Sequence, residues 1–574
     1  MTLTEALKIR QQNSKDAPLF LVKLACGFTP LHLQTFLAAR IQQALPERNI
    51  DVTPGVYGDL AGCLESVREA DSVAIALEWS DLDQRLGYRG AGSWTPRALP
   101  DVIVEARRML DRIAGAIERI TVPLALSLPT LPLPPLFHTP GGQAGEPELA
   151  LGRSVAEFAE RIAQFPGVRI VSAARLEENS PAATRFDLKS DLATGLPYTL
   201  SHADAVASLL ARLLAPAAPK KGLITDLDDT LWNGIVGESG PEGVSWDLAS
   251  HHQMHGLYQK LLAALSEEGT LVAVASKNDA AVVAKVFERD DLLLSSQQVF
   301  PMEVHWSAKS GSVERILRTW NIGADSVVFV DDSPMELAEV AAAHPGIECI
   351  RFPTNDDREG YRMLRRLRDL FGKQRLSAED SLRLESIRRG AQFRQAATSD
   401  TSPESFLEQA QAKVTFNFGA AGDPRVLELV NKTNQFNLNG IRYTESDWQR
   451  ALAAPDAFVA AISYEDKFGP LGKIAVIQGR TESGRLHIST WVMSCRAFSR
   501  RIEFQCLKAL FDRYGAREMV FDFAPTPKNG PTHEFLACLL ENTPFSPVSF
   551  SSQLFAERCP RLYHQVETIS EVER

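Results

Sequence analysis

Ile224-Thr-Asp-Leu-Asp-Asp-Thr-Leu-Trp-Asn-Gly234 is the stretch from which the fold of this chain is read. A short apolar run ends there in a cluster of carboxylates, as expected where a strand of an open parallel sheet delivers polar groups at its carboxyl end. Upstream, Ala215-Pro-Ala-Ala-Pro-Lys-Lys221 reads as a linker, because two prolines among small residues disfavour both helix and sheet. Downstream, a helix from Leu257 to Glu268 stops at Gly269, and the apolar strand Leu271-Val-Ala-Val-Ala275 follows, with Asp279 placed to cap the next helix. Farther on, Ser326-Val-Val-Phe-Val330 is a buried strand. Ser333-Pro-Met-Glu336 then has the cap, the first-turn proline and the third-position glutamate of a capping box. Residues 222–353 therefore alternate strand and helix, and their strand tips present Asp226, Ser276 and Asp331.

Around this segment the chain is long, and its 574 residues favour three domains over one. Residues 1–214 show the same strand-helix alternation, in Phe20–Ala25, Leu31–Leu45, Ser72–Leu77 and Val122–Leu126. Residues 354–400 form a basic, helical connector that includes Arg362, Arg365, Arg366, Lys373, Arg375 and Arg394, and 401–574 mix strand and helix. The expected fold class is α/β with three domains. With 44% hydrophobic and 23% charged residues the chain reads as globular. No basic start with an apolar stretch and no membrane-long apolar run is found, so a cytoplasmic protein is expected. Seven scattered cysteines, never spaced Cys-x-x-Cys, predict reduced thiols rather than disulfides or zinc. A formal charge of −11 argues against nucleic acid as a partner.

Asp-x-Asp after a strand has two chemical uses. The first carboxylate, Asp226, can attack phosphorus, and the second, Asp228, can protonate the leaving oxygen and then activate water. A carboxylate attacks a phosphate dianion only where cations neutralise the charge, so Mg2+ is the expected cofactor. Its ligands would be Asp226, the backbone carbonyl of Asp228, and Asp331. Ser276 can bond a phosphoryl oxygen, Lys309 supplies a fixed positive charge, and Thr230 and Asn278 complete a phosphate-binding set. Between the first two strands there is room for a short flap and one helix, not for a large cap, so the site should be open.

In order and spacing, Asp226-x-Asp228-x-Thr230, Ser276, Lys309 and Asp331-Asp332 resemble the four motifs of the haloacid dehalogenase (HAD) superfamily. Asp226 to Glu238, Ala275-Ser-Lys-Asn278 and Val330-Asp-Asp-Ser-Pro334 look like its FkbH-like branch, as do Asn431 to Leu438, Arg442-Tyr-Thr444 and Val492-Met-Ser-Cys-Arg496. This resemblance implies a phosphatase and glyceryltransferase. It would take 1,3-bisphosphoglycerate, a phosphorylated three-carbon substrate, and load its glyceryl unit onto the phosphopantetheine arm of an acyl carrier protein for polyketide biosynthesis. Many relatives carry cysteine where this chain has Ala275, which leaves direct transfer, another thiol with Cys495 as the remaining candidate, loss of the transfer, or a different acyl unit. The resemblance also implies an SGNH-like N-terminal domain that is not a hydrolase, since Cys26 stands where those enzymes have serine and no Asp-x-x-His follows. It implies a GNAT-like C-terminal domain whose loop Arg496 to Arg501 lacks glycine, which puts coenzyme A in doubt while Arg496 could still attract a pantetheine phosphate. Asn434, within the amide-rich Asn431 to Asn437, could bind substrate or serve turns and caps. The competing readings are a stand-alone phosphatase of small phosphate esters and a noncatalytic module that docks carrier proteins.

Overall fold

The computed structural model describes residues 1–11, 17–67, 69–90, 95–135, 139, 141–354, 356–373, 376, 380, 383–385, 387–389, 403–467, 469–494, 497–498, 500–541, 544 and 547–569. The chain divides into two compact units. One comprises Met1–Ala217 with Thr444–Arg450, the other Ala218–Tyr443 with Ala451–Arg574.

The first unit is built on five parallel strands, β1 (Leu19–Ala25), β2 (Asn49–Pro54), β3 (Ser72–Ala76), β4 (Leu124–Ser127) and β5 (Val168–Ile170), in the order β2-β1-β3-β4-β5. β3 is buried along its whole length, the pattern of a strand covered on both faces. One face packs the helices Leu31–Ala44 and Leu200–Leu214 through Phe36, Ile41, Val206 and Leu210; the other packs Leu99–Ile117 and Glu146–Ile162 through Leu110, Ile113, Val155 and Phe158. Behind β1 the Cys26 thiol is buried, which pushes it far above the usual thiol range. His202 is buried between Ser180 Oγ and Thr130 Oγ1, each 2.9 Å from a ring nitrogen. Burial lowers it to about 3, so it stays neutral and serves the hydrogen-bond network.

The second unit carries two sheets. The first contains β6 (Gly222–Thr225), β7 (Leu271–Ser276), β8 (Val299–Val304), β9 (Val327–Asp331) and β10 (Glu348–Arg351), all parallel, in the order β10-β9-β6-β7-β8. The chain starts at the central strand, runs outward to β8, then crosses back to β9. β6 and β9 therefore flank the point where strand order reverses, which is where such sheets open a crevice at their carboxyl ends. The helix Gln253–Glu267 ends as the sequence predicts, with Gly269 at φ +82. The connector is partly absorbed into this layer: its helix Asp357–Phe371 buries Met363, Leu367 and Phe371 in the same core as Tyr258 and Leu262. Of its basic residues, Arg366 pairs with Glu348 at 2.9 Å and Lys373 with Asp380 at 3.1 Å, while Arg375 and Arg394 lie outside the described residues.

The other sheet is mixed. β11 (Lys413–Asn417), β13 (Ala457–Asp466), β14 (Gly469–Glu482), β15 (Arg485–Met493), β16 (Glu518–Phe521), β17 (Val548–Ser551) and β18 (Gln565–Ile569) run in the order β17-β16-β15-β14-β13-β11-β18. β15 and β16 are parallel neighbours only as far as Ile488 and Phe521. Beyond that, β12 (Phe436–Asn437) pairs with β15 instead. Asn439 Nδ2 bonds the carbonyls of Ser489 and Asp522, both at 3.0 Å, so the 436–439 segment stitches the diverging strands together. Among the described residues no helix is long and apolar enough to cross a membrane.

Candidate active site

β6 ends at Thr225, and Asp226 follows, its amide still held by the Val330 carbonyl of β9 at 3.0 Å. The chain then turns sharply. Leu231 N bonds the Leu227 carbonyl at 2.7 Å, Asp229 takes the left-handed conformation at φ 50, and its carboxylate accepts from Gly234 N at 2.8 Å. Asn233 and Ser245 bridge the base of the flap. Arg289 stacks 4.3 Å from the ring of buried Trp246 and donates to the Pro241 and Val244 carbonyls, so the flap is pinned at its far end. The flap contains one short helix, Val236–Ser239, and the chain then enters Gln253–Glu267; there is no cap domain here, as the sequence predicts.

Asp226, Asp331 and Asp332 each offer a carboxylate oxygen within 4.8 Å of the others. The Lys309 ammonium stands beside them, 2.9 Å from Asp226 Oδ1 and 2.6 Å from Asp331 Oδ2. Burial raises Asp226 above the usual carboxylate range while Lys309 pulls the other way. Burial, and then the Asp226 charge, push Asp331 up to about 7. Asp332 is raised by burial and by Asp229. Burial alone would depress Lys309, but Asp226 and Asp331 outweigh it and hold the ammonium above its usual value. Three crowded carboxylates, two of them buried, form an all-oxygen donor set, which fits a hard divalent cation such as Mg2+.

Asp228 plays a different part. Its Oδ1 accepts from Trp232 Nε1 at 2.8 Å and Val236 N at 3.1 Å, and its Oδ2 from Asn278 Nδ2 at 3.0 Å. Three donors thus hold this carboxylate in one orientation, and it is not part of the group formed by Asp226, Asp331 and Asp332. Asn278 Nδ2 also reaches Ser276 Oγ at 3.2 Å, which joins the second strand tip to the first. Thr230 is fully buried, and its hydroxyl accepts from Asp332 N at 3.1 Å; it ties the first motif to the fourth rather than facing a ligand.

Two residues of this site were given no role in it by the sequence. Asp332, named there only as part of the doublet Asp331-Asp332, stands inside the carboxylate cluster. Glu336 was read as the glutamate of a capping box, but its side chain turns into the site instead. Its Oε2 pairs with Lys309 and its Oε1 with Lys277 at 3.0 Å, because a buried ammonium attracts it more strongly than a backbone amide. Lys309 outweighs the burial of Glu336 and holds this carboxyl below its usual range. Ser333 keeps its capping role, accepting from Glu336 N at 3.5 Å.

Other expected residues are not brought to this site. Asn434 lies against a separate cavity with Lys221 and Leu271, residues at the amino ends of β6 and β7. The amides around it serve the chain's own backbone: Asn431 bonds Tyr443 through both side-chain ends, and Asn437 bonds Thr433 and Gly440. That is the turn-and-cap reading of the segment. Cys495 and Arg496 lie outside the described residues. Arg500 is buried, with its guanidinium 3.6 Å from Asp466, and Arg501 bonds Arg561 O and Glu404.

The chain is similar to the crystal structure of the N-terminal part of a Bacteroides fragilis protein containing a phosphatase domain, complexed with Mg. The TM-score is 0.51 and the identity 19%, covering 66% of this chain and 100% of that one. At this identity the likeness carries the fold. A structure from Listeria monocytogenes aligns at a TM-score of 0.16 and 10% identity, over 66% of this chain and 98% of that one, and carries no argument. No family model matches the chain, and no curated protein does.

Proposed function

We propose that the chain is a magnesium-dependent phosphatase of the HAD type, and that this site serves the loading of a glyceryl or similar hydroxyacyl unit onto an acyl carrier protein. The observation that carries the phosphatase reading is the convergence of Asp226, Asp331, Asp332 and Lys309 at the switch point between β6 and β9. Asp226 is the nucleophile: a bond forms from its carboxylate oxygen to phosphorus while the bond from phosphorus to the leaving oxygen breaks. Asp228, held by Trp232, Val236 N and Asn278, delivers the proton to that leaving oxygen. It then takes a proton from water, which attacks phosphorus and frees the Asp226 carboxylate and phosphate. Mg2+ bound by Asp226, Asp331, Asp332 and the Asp228 carbonyl would neutralise charge on the phosphoryl oxygens, with Ser276 and Lys309 completing the cradle.

The transfer reading takes its support from the open site. The flap is short, and Trp306 and Met335, on the segments that bear Lys309 and Asp331, are exposed, as suits a substrate delivered on another protein. The thiol of the carrier would form a bond to the acyl carbon of an acyl phosphate as the bond from that carbon to the phosphate oxygen breaks. The first sheet would be the SGNH-like scaffold and the mixed sheet the GNAT-like domain, in a cytoplasmic protein. Ala275 favours the second reading, a stand-alone phosphatase, since no thiol stands beside Ser276.

The deciding experiment incubates the protein with Mg2+, 1,3-bisphosphoglycerate and holo carrier protein and weighs both proteins intact. A glyceryl adduct on the carrier is the expected result. Released phosphate without an adduct rejects transfer and retains the phosphatase. No phosphate release, or release undiminished in Asp226→Asn, removes the catalytic reading.

A further inference from the structure

The Asp228 carboxylate is clamped between two elements far apart in the sequence. From the flap side, Trp232 Nε1 and Val236 N both donate to Oδ1, at 2.8 and 3.1 Å. From beyond the tip of β7, Asn278 Nδ2 donates to Oδ2 at 3.0 Å, and it is the one partner of this oxygen among the described residues. An ionised carboxyl group has about four lone-pair sites shared between its two oxygens. Two donors therefore fill Oδ1, while one donor leaves a place open on Oδ2. A proton carried by this group sits on Oδ2, beside Asn278.

Asn278 is itself fixed. It lies between β7 and the helix Ala280–Phe287, whose start Asp279 caps by accepting from Ala281 N at 2.8 Å, so the backbone is held on both sides. The side chain is buried, as is that of Ser276, and bulk water does not compete for their bonds. An amide nitrogen has two hydrogens, and the second goes to Ser276 Oγ at 3.2 Å. Both are thus spent within the protein, so Asn278 does not face a phosphoryl oxygen as the sequence suggests. Because Ser276 Oγ accepts from Asn278, its own hydrogen points onward, and the hydroxyl bonds the Asp226 carboxylate. One chain of hydrogen bonds joins Asp228 Oδ2, Asn278, Ser276 and Asp226.

We propose that Asn278 is a positioning residue for proton transfer: it fixes Oδ2 of Asp228 as the oxygen that carries the proton, and it ties that oxygen to the nucleophile through Ser276. The inference rests on the phosphatase reading. As the bond from Asp226 to phosphorus forms and the bond from phosphorus to the leaving oxygen breaks, the proton passes from Oδ2 to that oxygen. Oδ2 then takes a proton from the water whose oxygen attacks phosphorus and displaces Asp226. So exact a hold on the proton matters for one class of substrate. The oxygen of an alcohol departs as a strong base and needs the proton, whereas nitrophenolate is a weak base and leaves without it. The site is accordingly built for phosphate esters of alcohols.

The test compares kcat/KM of the full chain with Mg2+ on glycerol phosphate and on p-nitrophenyl phosphate, since this quantity reports the step that forms the aspartyl phosphate. Asn278→Ala should lower it about ten-fold or more on glycerol phosphate and leave it within about three-fold on p-nitrophenyl phosphate. Damage to packing alone would lower both alike, so the second ester controls for how well the variant folds. Asn278→Leu, which keeps the volume, should show the same split. Equal falls on the two esters, or no fall on either, would overturn the inference and leave the phosphatase reading standing. Release from neither ester by the unsubstituted protein, or release undiminished in Asp226→Asn, would remove that reading and this inference with it.

Discussion

Replacing Lys309 with methionine isolates the electrostatics of the carboxylate cluster. Its ammonium faces Asp226, Asp331 and Glu336, whose side chains are 8%, 0% and 15% exposed. Methionine fills nearly the same volume, so the loss is of charge rather than packing. Removing one partner of a buried ion pair costs about 3–5 kcal/mol, against about 5–15 kcal/mol for a whole domain. For a unit of about 350 residues roughly 1–2 °C accompanies each kcal/mol, which places the fall in Tm at about 3–10 °C in EDTA. The pH dependence has a definite sign. Asp331 is already raised to about 7 in the folded protein from an unfolded value near 3.8. A carboxyl raised in this way contributes its stability below about pH 3.8 and loses it as pH rises through the folded value. Without Lys309 the folded value climbs further, so the deficit against the unsubstituted protein should widen as pH rises above about 7. Thermal unfolding followed by tryptophan fluorescence reads this, since Trp232 and Trp320 are both fully buried in the second unit. Added Mg2+ should raise the Tm of Lys309→Met more than that of the unsubstituted chain, because it restores a cation to the cluster. A Tm within about 2 °C of the unsubstituted protein near pH 8, or a deficit larger near pH 5, refutes the reasoning.

Trp232→Phe removes one of three donors that orient Asp228; kcat for phosphate release should fall about ten-fold with KM unchanged, and an unaffected kcat sinks the acid-base role for this carboxylate. Ala275→Cys places a thiol at a fully buried position that packs with Ile224, Val313 and Ile316, so iodoacetamide should not label it in the folded protein; ready labelling would show that the strand edge opens. His202, lowered to about 3 by burial, contributes stability to the first unit that is fully present above about pH 6.5 and is lost as pH falls toward the folded value. His202→Gln should therefore flatten the acid limb of first-unit stability in urea titrations, where the histidine can add at most about 1.4 kcal/mol per pH unit; an identical limb in the variant rules this out.

What could be read in the sequence follows from how local the determinants are. Asp226, Ser276 and Asp331 each end an apolar run, so strand periodicity alone places them at one sheet edge, and the switch point between β6 and β9 brings the first and last together. Gly269 and Asp279 mark their helix ends through single-residue chemistry and do so in the structure. Glu336 was misread because the same Ser-Pro-x-Glu pattern serves a cap or a buried ion pair, and only the packing of the helix Lys309–Trp320 shows which. The segment around Asn434 left two readings open for a related reason. An amide-rich segment announces hydrogen bonds but not their partners, and here Asn431 and Asn437 bond the backbone of Tyr443, Thr433 and Gly440.

Around Lys309 the carboxylates of Asp226, Asp331, Asp332 and Glu336 outnumber the ammoniums of Lys309 and Lys277, so a phosphate dianion is repelled until a divalent cation enters. EDTA should therefore abolish phosphate binding at the carboxylate cluster, read by calorimetric titration with sodium phosphate; saturable binding in EDTA that Asp226→Asn removes would refute this charge argument.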